Sequence, residues 1–232
     1  SSPEEEASRN QDADQNVAVG AYSLSSDTLG SNSVAIGRSA LFTQNFTTAT
    51  NSYNVAVGHS AGEAVTTGLR NVLIGGLAGD VLTDADDNTA LGMDTLSADT
   101  LGSKSVAVGK GALNVQNFTT ATDTNNTAVG YQAGTAVTTG LRNTLIGSVA
   151  GDALTDADDN VAVGVFALSA DTLGSRSVAI GKEALAAQNF TTATLSNNTA
   201  VGFLAGNVVS TGTGNTLIGS FAGDALTTGS NN

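Results

Sequence analysis

The chain has 232 residues and a net charge of −13, with eight Lys and Arg residues in total, which argues against nucleic acid and anionic membrane surfaces as partners. Apolar residues make up 40% of the chain but aromatic residues only 4%. We therefore expect thin, regular layers of Ala, Val, Leu and Ile instead of a bulky globular core. The chain has no Cys, which excludes disulfides and thiolate metal sites. No apolar run approaches the roughly 18 residues of a membrane span, so no membrane insertion is expected.

The N-terminal arm, residues 1–15, is polar and acidic and lies outside the pattern that fills the rest of the chain. Such a composition is typical of a segment that becomes ordered on a partner, and we expect it to run along a neighbouring molecule as a clasp. The chain starts with Ser1 rather than Met, which agrees with removal of a signal peptide. We therefore expect an extracellular or cell-surface protein.

A short phrase recurs twelve times from residue 16 onward. NVAVG at 16 returns as NTALG at 88 and NVAVG at 160, and the phrases at 33, 54 and 71 return at the same spacing of 72 residues. Each 72-residue unit (16–87, 88–159 and 160–231) holds four repeats of 17, 21, 17 and 17 residues. We number the repeats coils 1 to 12; they begin at residues 16, 33, 54, 71, 88, 105, 126, 143, 160, 177, 198 and 215.

The columns of this alignment predict a β-solenoid. The fourth residue of each coil is aliphatic, and in eleven of twelve coils it is β-branched, which favours a strand. The Gly that follows is expected at a corner that needs positive φ or close backbone approach. Three residues further stands a small residue, Ala in ten coils. We therefore predict an all-β, parallel solenoid or β-roll of twelve coils over residues 16–232.

Two further columns bear on packing. Asn starts most strands, and stacked Asn side chains are expected to hydrogen-bond as a ladder along the axis. The middle strand residue faces the opposite way from its two neighbours, as in Val17-Ala18-Val19. We expect this middle column to face another chain, because it holds Leu73, Leu145 and Leu217 in every fourth coil. The alternative is that its small residues simply lie exposed.

The ends of the repeat indicate self-assembly. Asn232 falls 72 residues after Asn160, on the first position of a further unit, and neither end shows an evident cap. Uncapped solenoids expose strand edges that template association, so we expect copies to stack end to end in an open assembly. The alternative is a segment of a longer fibre. The expected assembly interface is Asn16, Val17, Ala18, Val19, Asn215, Leu217, Ile218 and Asn232.

Acidic loops of sequence TDADDN occupy residues 83–88 and 155–160. Closely spaced carboxylates suit Ca²⁺, which makes calcium the candidate cofactor; no other cofactor is expected. The loop lacks the Gly and the distal Glu of an EF-hand and becomes TTGSNN in the third unit, so a solvated turn is favoured. The candidate ligands are Asp84, Asp86, Asp87, Asp156, Asp158 and Asp159.

The 21-residue coil of each unit carries the loop QNFTTAT, at 44–50, 116–122 and 188–194. The Phe of this loop has two possible roles: a lateral or ligand contact, or a local core in which it packs under its own loop. We favour the local core. The residues are Phe46, Phe118 and Phe190. N-x-T sequons in and after the loop are candidates for glycosylation. Their Asn residues are Asn45, Asn117, Asn189, Asn125 and Asn197.

No arrangement of residues points to an enzyme. His59 is the only histidine, and Tyr131 and Phe203 replace it in the equivalent coils. Nothing positions a nucleophile beside a base, and no Gly-rich stretch continues into the Lys-Ser/Thr of a phosphate-binding loop. We predict a non-enzymatic structural protein.

The pattern N/S-V/T-A-V/I-G-x-x-A-L/G resembles the head repeats of trimeric autotransporter adhesins, the YadA-like family. Phrases such as NTAVGYQAG at 126–134 also resemble repeats in phage tail-fibre proteins. The resemblance covers residues 16–231 and implies a left-handed parallel β-roll, a trimer, and surface display or adhesion to a host surface or glycan. Our first expectation is a rigid subunit that self-assembles end to end into a filament. The second is the head of a trimeric adhesin or phage tail fibre.

Overall fold

A computed structural model describes residues 13–232 and confirms the predicted all-β, parallel solenoid of about twelve coils. The chain divides into two compact units. The first runs to Lys110 and includes Asn117–Asp123, and the second holds Gly111–Gln116 and Thr124–Asn232. Residues 1–12, and with them most of the predicted clasp, lie outside the described residues. Within 13–232, no helix is long and apolar enough to cross a membrane.

Each coil contributes a three-residue strand at its second to fourth positions, and each 21-residue coil adds a two-residue pair with the coil before it. The strands are β1 Val17–Val19, β2 Gly30–Ser31, β3 Val34–Ile36, β4 Thr50–Asn51, β5 Val55–Val57, β6 Val72–Ile74, β7 Thr89–Leu91, β8 Gly102–Ser103, β9 Val106–Val108, β10 Thr122–Asp123, β11 Thr127–Val129, β12 Thr144–Ile146, β13 Val161–Val163, β14 Gly174–Ser175, β15 Val178–Ile180, β16 Thr194–Leu195, β17 Thr199–Val201 and β18 Thr216–Ile218. The three-residue strands pair in parallel and in register. Their order is β1-β3-β5-β6-β7-β9 in the first compact unit and β11-β12-β13-β15-β17-β18 in the second.

The middle residue of each inner strand faces the interior, so the predicted contact of this column with another chain is wrong. Ala56, Leu73 and Leu145 are fully buried. The residues on either side face outward instead, as Ile36 and Ile146 do. The alternative, that the middle column lies exposed, holds only for Ala18 in the first coil.

The interior is filled by size matching between the middle strand residue and the ninth residue of the coil. In the first two coils of each unit a strand Ala goes with a Leu at the ninth position, as Ala35 does with Leu41, both fully buried. Leu73 goes with Gly: a Cβ on Gly62 would lie 2.7 Å from Leu73 Cδ1, and one on Gly79 would lie 2.9 Å from Leu73 Cδ2. The larger strand residue therefore requires Gly in its own coil and in the coil before it.

The corner Gly after each strand confirms the predicted need for close approach and positive φ. Gly75 has φ +137°, and a Cβ there would lie 2.3 Å from the carbonyl oxygen of Gly92 in the next coil. No side chain fits at that distance, so Gly at this position sets how closely successive coils stack.

Candidate functional site

The Asn residues that start the strands form the predicted ladder. Asn71 N donates to Asn54 Oδ1 (2.9 Å), and Asn88 N donates to Asn71 Oδ1 (3.0 Å). Asn71 Nδ2 donates to the carbonyl of Ala85 (2.7 Å), across its own coil. The direct link between the Asn71 and Asn54 side chains is longer, at 3.3 Å. The ladder is confirmed, and its main link runs from side chain to main chain.

A buried polar network, which was not predicted from the sequence, anchors the 21-residue coils that begin at residues 33 and 177. In the second compact unit, Asp171 Oδ1 accepts from Gly174 N and Phe190 N, both at 3.0 Å. Asp171 Oδ2 accepts from Gln188 Nε2 (2.5 Å), and Gln188 Oε1 accepts from Asn198 Nδ2 (2.7 Å). The same arrangement recurs in the first compact unit with Asp27, Gln44 and Asn54. The available signal was the Asp at position 12 of the coil before each QNF loop.

The aromatic residue of each QNF loop belongs to this interior. Phe46, Phe118 and Phe190 are 5%, 7% and 6% exposed. A Cβ on Gly30 would lie 2.8 Å from a ring carbon of Phe46, so the ring packs against the preceding coil. The hypothesis of a lateral or ligand contact through these Phe residues is therefore wrong, and the favoured local core is what the structure shows.

The sequon Asn residues lie on the surface. Asn45 accepts a hydrogen bond from Thr28 Oγ1 (3.2 Å), and Asn189 accepts one from Thr172 Oγ1 (3.3 Å). The five side chains are accessible, and their glycosylation stays a prediction. They are Asn45, Asn117, Asn189, Asn125 and Asn197.

The acidic loops do not gather into a metal site. Asp84 accepts from Thr67 Oγ1 (2.6 Å), and Asp86 Oδ1 accepts from Leu69 N (2.8 Å). Asp87 pairs with Arg70 at 2.6 Å. Asp156, Asp158 and Asp159 repeat these contacts with Thr139, Leu141 and Arg142. Across residues 13–232, no group of three acidic, His or Cys side chains is placed to hold a metal ion. The candidate calcium ligands instead stack one coil on the next.

The charges beside these loops alternate from coil to coil. The hydrogen bond between Arg70 and Asp87 raises the pKa of Arg70 and lowers the pKa of Asp87. Lys104, in the following coil, pairs with Asp123 at 2.5 Å. These groups line an open groove in the first compact unit. Its exposed pairs contribute little to stability, since solvent screens them.

The Asp at the tenth position of the fourth coil is only partly satisfied in two of the three units. Asp80 and Asp152 each keep one buried carboxylate oxygen with no hydrogen-bond partner within the described chain. Burial raises the pKa of both, and the nearby charges of Glu63 and Asp94 raise that of Asp80 further. Both side chains are thus destabilised in their charged form.

The N-terminal part of the predicted assembly interface is a strand edge that pairs with no other strand among residues 13–232. Val17 and Val19 are 46% and 56% exposed, and Ala18 is exposed as well. Val17 N donates to Ser33 O, and Val19 O accepts from Gly37 N. Because bonds alternate along a parallel ladder, the N–H and C=O of Ala18 point away from the second coil.

The C-terminal part presents the opposite edge. Ile218 is 71% exposed, while Leu217 is 8% exposed and Asn215 is buried. By the same alternation, the N–H of Ile218 points away from the coil before it. Asn232 continues the Asn ladder: its N and Nδ2 donate to Asn215 Oδ1 (3.1 and 2.9 Å), and its carbonyl accepts from Thr216 N (2.8 Å).

A surface that was not predicted from the sequence lies at the corners of the second compact unit. We call it the apolar corner: Tyr131, Val165, Phe166, Phe203 and Phe221, each between 40% and 51% exposed. Phe203 and Phe221 pack edge to face with centroids 5.4 Å apart. The signal in the sequence was the replacement of His59 by Tyr131 and Phe203. His59 itself is exposed, with its Nε2 3.2 Å from Arg38 Nη1.

Comparisons of this chain with known protein families, with curated proteins and with solved structures found no match.

Proposed function

We propose that the chain is a non-enzymatic structural subunit of the cell surface or extracellular space, which joins further copies end to end. One observation carries the proposal: the outer edges of β1 and β18 pair with no strand among residues 13–232, and β18 lies in a fourth coil while β1 lies in a first coil. A fourth coil stacked on a first coil already occurs in each compact unit, where Leu73 lies opposite Ala90 and Leu145 opposite Ala162. In the proposed joint Leu217 lies opposite Ala18 in the same way, and the contact is heterologous and open.

The joint pairs these two outer strand edges. Three strand hydrogen bonds form: Ala18 N to Thr216 O, Ile218 N to Ala18 O, and Gly20 N to Ile218 O. At about 0.5–1.5 kcal/mol each, they contribute roughly 1.5–4.5 kcal/mol. Association itself costs about 4–15 kcal/mol, so the burial of the rest of both coils must supply most of the affinity. We therefore expect assembly to depend strongly on protein concentration.

Ala18→Pro tests this function. The N–H of Ala18 has no partner among residues 13–232, and an edge strand tolerates Pro, so the fold should keep its stability while the joint loses a donor. Negative-stain electron microscopy and sedimentation should show filaments of the unchanged chain at high concentration and single copies of Ala18→Pro.

Val17→Thr is the matched control. Thr already occupies this outward strand position at Thr89 and Thr127, so filaments should form as in the unchanged chain. Filaments of Ala18→Pro at the same concentration would contradict the proposed joint. The absence of filaments from the unchanged chain at every concentration would contradict the function itself.

A second candidate function is the head of a trimeric adhesin or phage tail fibre, in which copies associate through their sides and bind a host surface or glycan. The apolar corner favours it: four aromatic side chains, each about half exposed, offer on the order of 300–500 Å². A stable interface buries about 800 Å² per partner, so the corner and the outward strand residues together approach what is needed. Replacing Phe203 and Phe221 by Ser should then reduce the sedimenting mass from three copies to one.

A further inference from the structure

The 21-residue coils that begin at residues 33 and 177 each bury a hydroxyl group beside a side-chain amide. Ser177 and Gln188 are fully buried, and Gln188 Nε2 donates to Ser177 Oγ at 2.9 Å. Ser33 and Gln44 repeat this contact at 3.0 Å in the first compact unit. Ser at position 1 and Gln at position 12 occur only in the 21-residue coils, since the other nine coils begin with Asn.

We infer that these two groups react with each other: Ser177 Oγ attacks the side-chain carbonyl carbon of Gln188 and forms an ester cross-link, and Ser33 and Gln44 do the same. A bond forms between Oγ and Cδ, and the bond between Cδ and Nε2 breaks. The hydroxyl proton ends on the nitrogen, which leaves as ammonia. No oxidant, reductant or cofactor is consumed. The structure shows the two groups before this reaction, which does not depend on whether copies join end to end.

The reacting atoms are already close to each other. The carbonyl carbon of Gln188 is bonded to Nε2 at about 1.3 Å, and Nε2 lies 2.9 Å from Ser177 Oγ, so the carbon lies no more than about 4.2 Å from that oxygen. A turn of the amide about its bond to Cγ brings the carbon to the roughly 3–3.5 Å of a reactive pair. Both side chains are fully buried, so bulk water is kept from competing with the hydroxyl.

The hydrogen bonds around the hydroxyl leave its lone pair for the amide. Ser177 Oγ lies 2.6 Å from Ser196 Oγ, and Ser196 Oγ donates to the carbonyl of Ser175 (2.7 Å). A Ser hydroxyl has one proton, so Ser196 must accept the proton of Ser177. The oxygen of Ser177 therefore faces Gln188 as an acceptor, which is the role of a nucleophile.

Two further side chains match the charges that develop during the reaction. Asn198 Nδ2 donates to Gln188 Oε1 (2.7 Å), the oxygen that becomes negative when the carbonyl carbon is attacked. Asp171 Oδ2 accepts from Gln188 Nε2 (2.5 Å), so a carboxylate stands beside the nitrogen that becomes positive when it takes the proton. In the first compact unit the corresponding side chains around Gln44 are Asp27, Asn54 and Ser52.

The cross-link ties the base of the QNF loop to the start of its own coil. Gln188 is the first residue of the loop at 188–194, and Ser177 is the first residue of coil 10. The ester closes residues 177–188 into a covalent ring, which restricts the unfolded chain as a disulfide does. The longest coil of the unit is thereby held at the point where it departs from the 17-residue pattern.

Tryptic digestion of the denatured chain tests the cross-link. Trypsin cleaves after Lys182, between Ser177 and Gln188, and after Arg38, between Ser33 and Gln44. The folded chain is first kept until its intact mass no longer changes. Mass spectrometry should then find residues 177–182 joined to 183–232, with the mass of one ammonia missing from their sum. Hydroxylamine, which cleaves esters and leaves amide bonds intact, should separate the two peptides.

Ser177→Ala is the decisive variant, and circular dichroism first verifies that it keeps the β-fold. It should lose the link to Gln188 and keep the link between Ser33 and Gln44, which reports in the same digest that the reaction conditions were met. The matched control is Ser175→Ala, since the Ser175 hydroxyl accepts from Asp158 N (2.9 Å) instead of an amide side chain. This control should keep both links.

Three results would overturn the cross-link. The first is separate peptides of full mass from the unchanged chain. The second is loss of ammonia in peptides that stay separate, which would assign the loss to ring closure at an Asn side chain. The third is a link to Gln188 that persists in Ser177→Ala, which would mean that another group is the nucleophile.

Discussion

Asp171→Asn should destabilise the fold by about 2–4 kcal/mol although it replaces a single oxygen. Asp171 is fully buried, and its two oxygens accept from Gly174 N, Phe190 N and Gln188 Nε2. Asn keeps one acceptor for the main-chain donors but turns its Nδ2 toward the Nε2 of Gln188. A buried donor then faces a donor: the Nδ2 of the new Asn has no partner, and Gln188 Nε2 keeps only Ser177 Oγ.

Gln188 cannot repair this by turning its amide over. Its Oε1 accepts from Asn198 Nδ2 (2.7 Å), and its Nε2 also donates to Ser177 Oγ (2.9 Å), so a flip moves the mismatch to Asn198. One unsatisfied buried group costs about 1–3 kcal/mol, and the loss of a charged acceptor adds to this. For a chain of this length we expect the melting temperature to fall by about 5–10 °C.

Thermal and urea unfolding followed by circular dichroism measure the effect. Asp156→Asn is the matched control, since Asp156 is exposed and accepts from one Thr hydroxyl; its stability should stay within about 0.5 kcal/mol of the unchanged chain. If Asp171→Asn also stays within that range, the network does not hold the long coil and the reasoning is refuted.

Two further predictions concern single positions in the first compact unit. Burial raises the pKa of Asp80, so the contribution of this group to stability is greatest at low pH and falls as pH rises through the folded-state pKa. Asp80→Asn should therefore raise the melting temperature at pH 7 but not at pH 3. Asp224→Asn, at an exposed copy of the motif, should change the melting temperature at neither pH. Gly75→Ala places a Cβ 2.3 Å from Gly92 O at φ +137°, and should lower the stability by more than about 2 kcal/mol in urea unfolding.

The sequence was sufficient to predict the strands, the corner Gly and the Asn ladder because each depends on one column. Every coil repeats its strand at the same three positions, and stacking in register brings like residues together, as Asn54, Asn71 and Asn88 show. Neither the twist of the chain nor a distant contact is needed to infer these features.

The face of the strand that points to the interior was predicted wrongly because all three strand residues are apolar. Alternation separates Ala56 from Val55 and Val57 but does not say which side is the interior. Side-chain volumes show which face is interior, and they could be read from the sequence. Leu73 in the strand goes with Gly79 at the ninth position, while Ala35 goes with Leu41. Only residues that share one interior need such matching.

Half of the Asp–Gln network could have been predicted, because Asp171 and Gln188 both stand at position 12 of successive coils, 17 residues apart. The other half joins different columns: Gln188 stands at position 12 and Asn198 at position 1 of the next coil, 10 residues further on. Their contact depends on how the QNF loop bulges. That geometry comes from the backbone and not from the repeat.

The size matching between neighbouring coils fixes the order of coils within a unit. A last prediction about assembly follows from it. Deleting residues 88–159 joins Asp87 to Asn160 in the pattern of Asp87–Asn88, and it keeps a fourth coil at one end and a first coil at the other. That chain should still form filaments. Deleting residues 215–231 instead leaves a third coil at the end, where Gly206 has lost the side chain of Leu217 and meets Ala18 of a first coil, so that the space of a Leu side chain stays empty in the joint. This chain should stay as single copies in sedimentation, after circular dichroism has shown that it keeps its strands. Equal assembly of the two shortened chains would mean that any two coils can stack, and that the matching of neighbours does not select the joint.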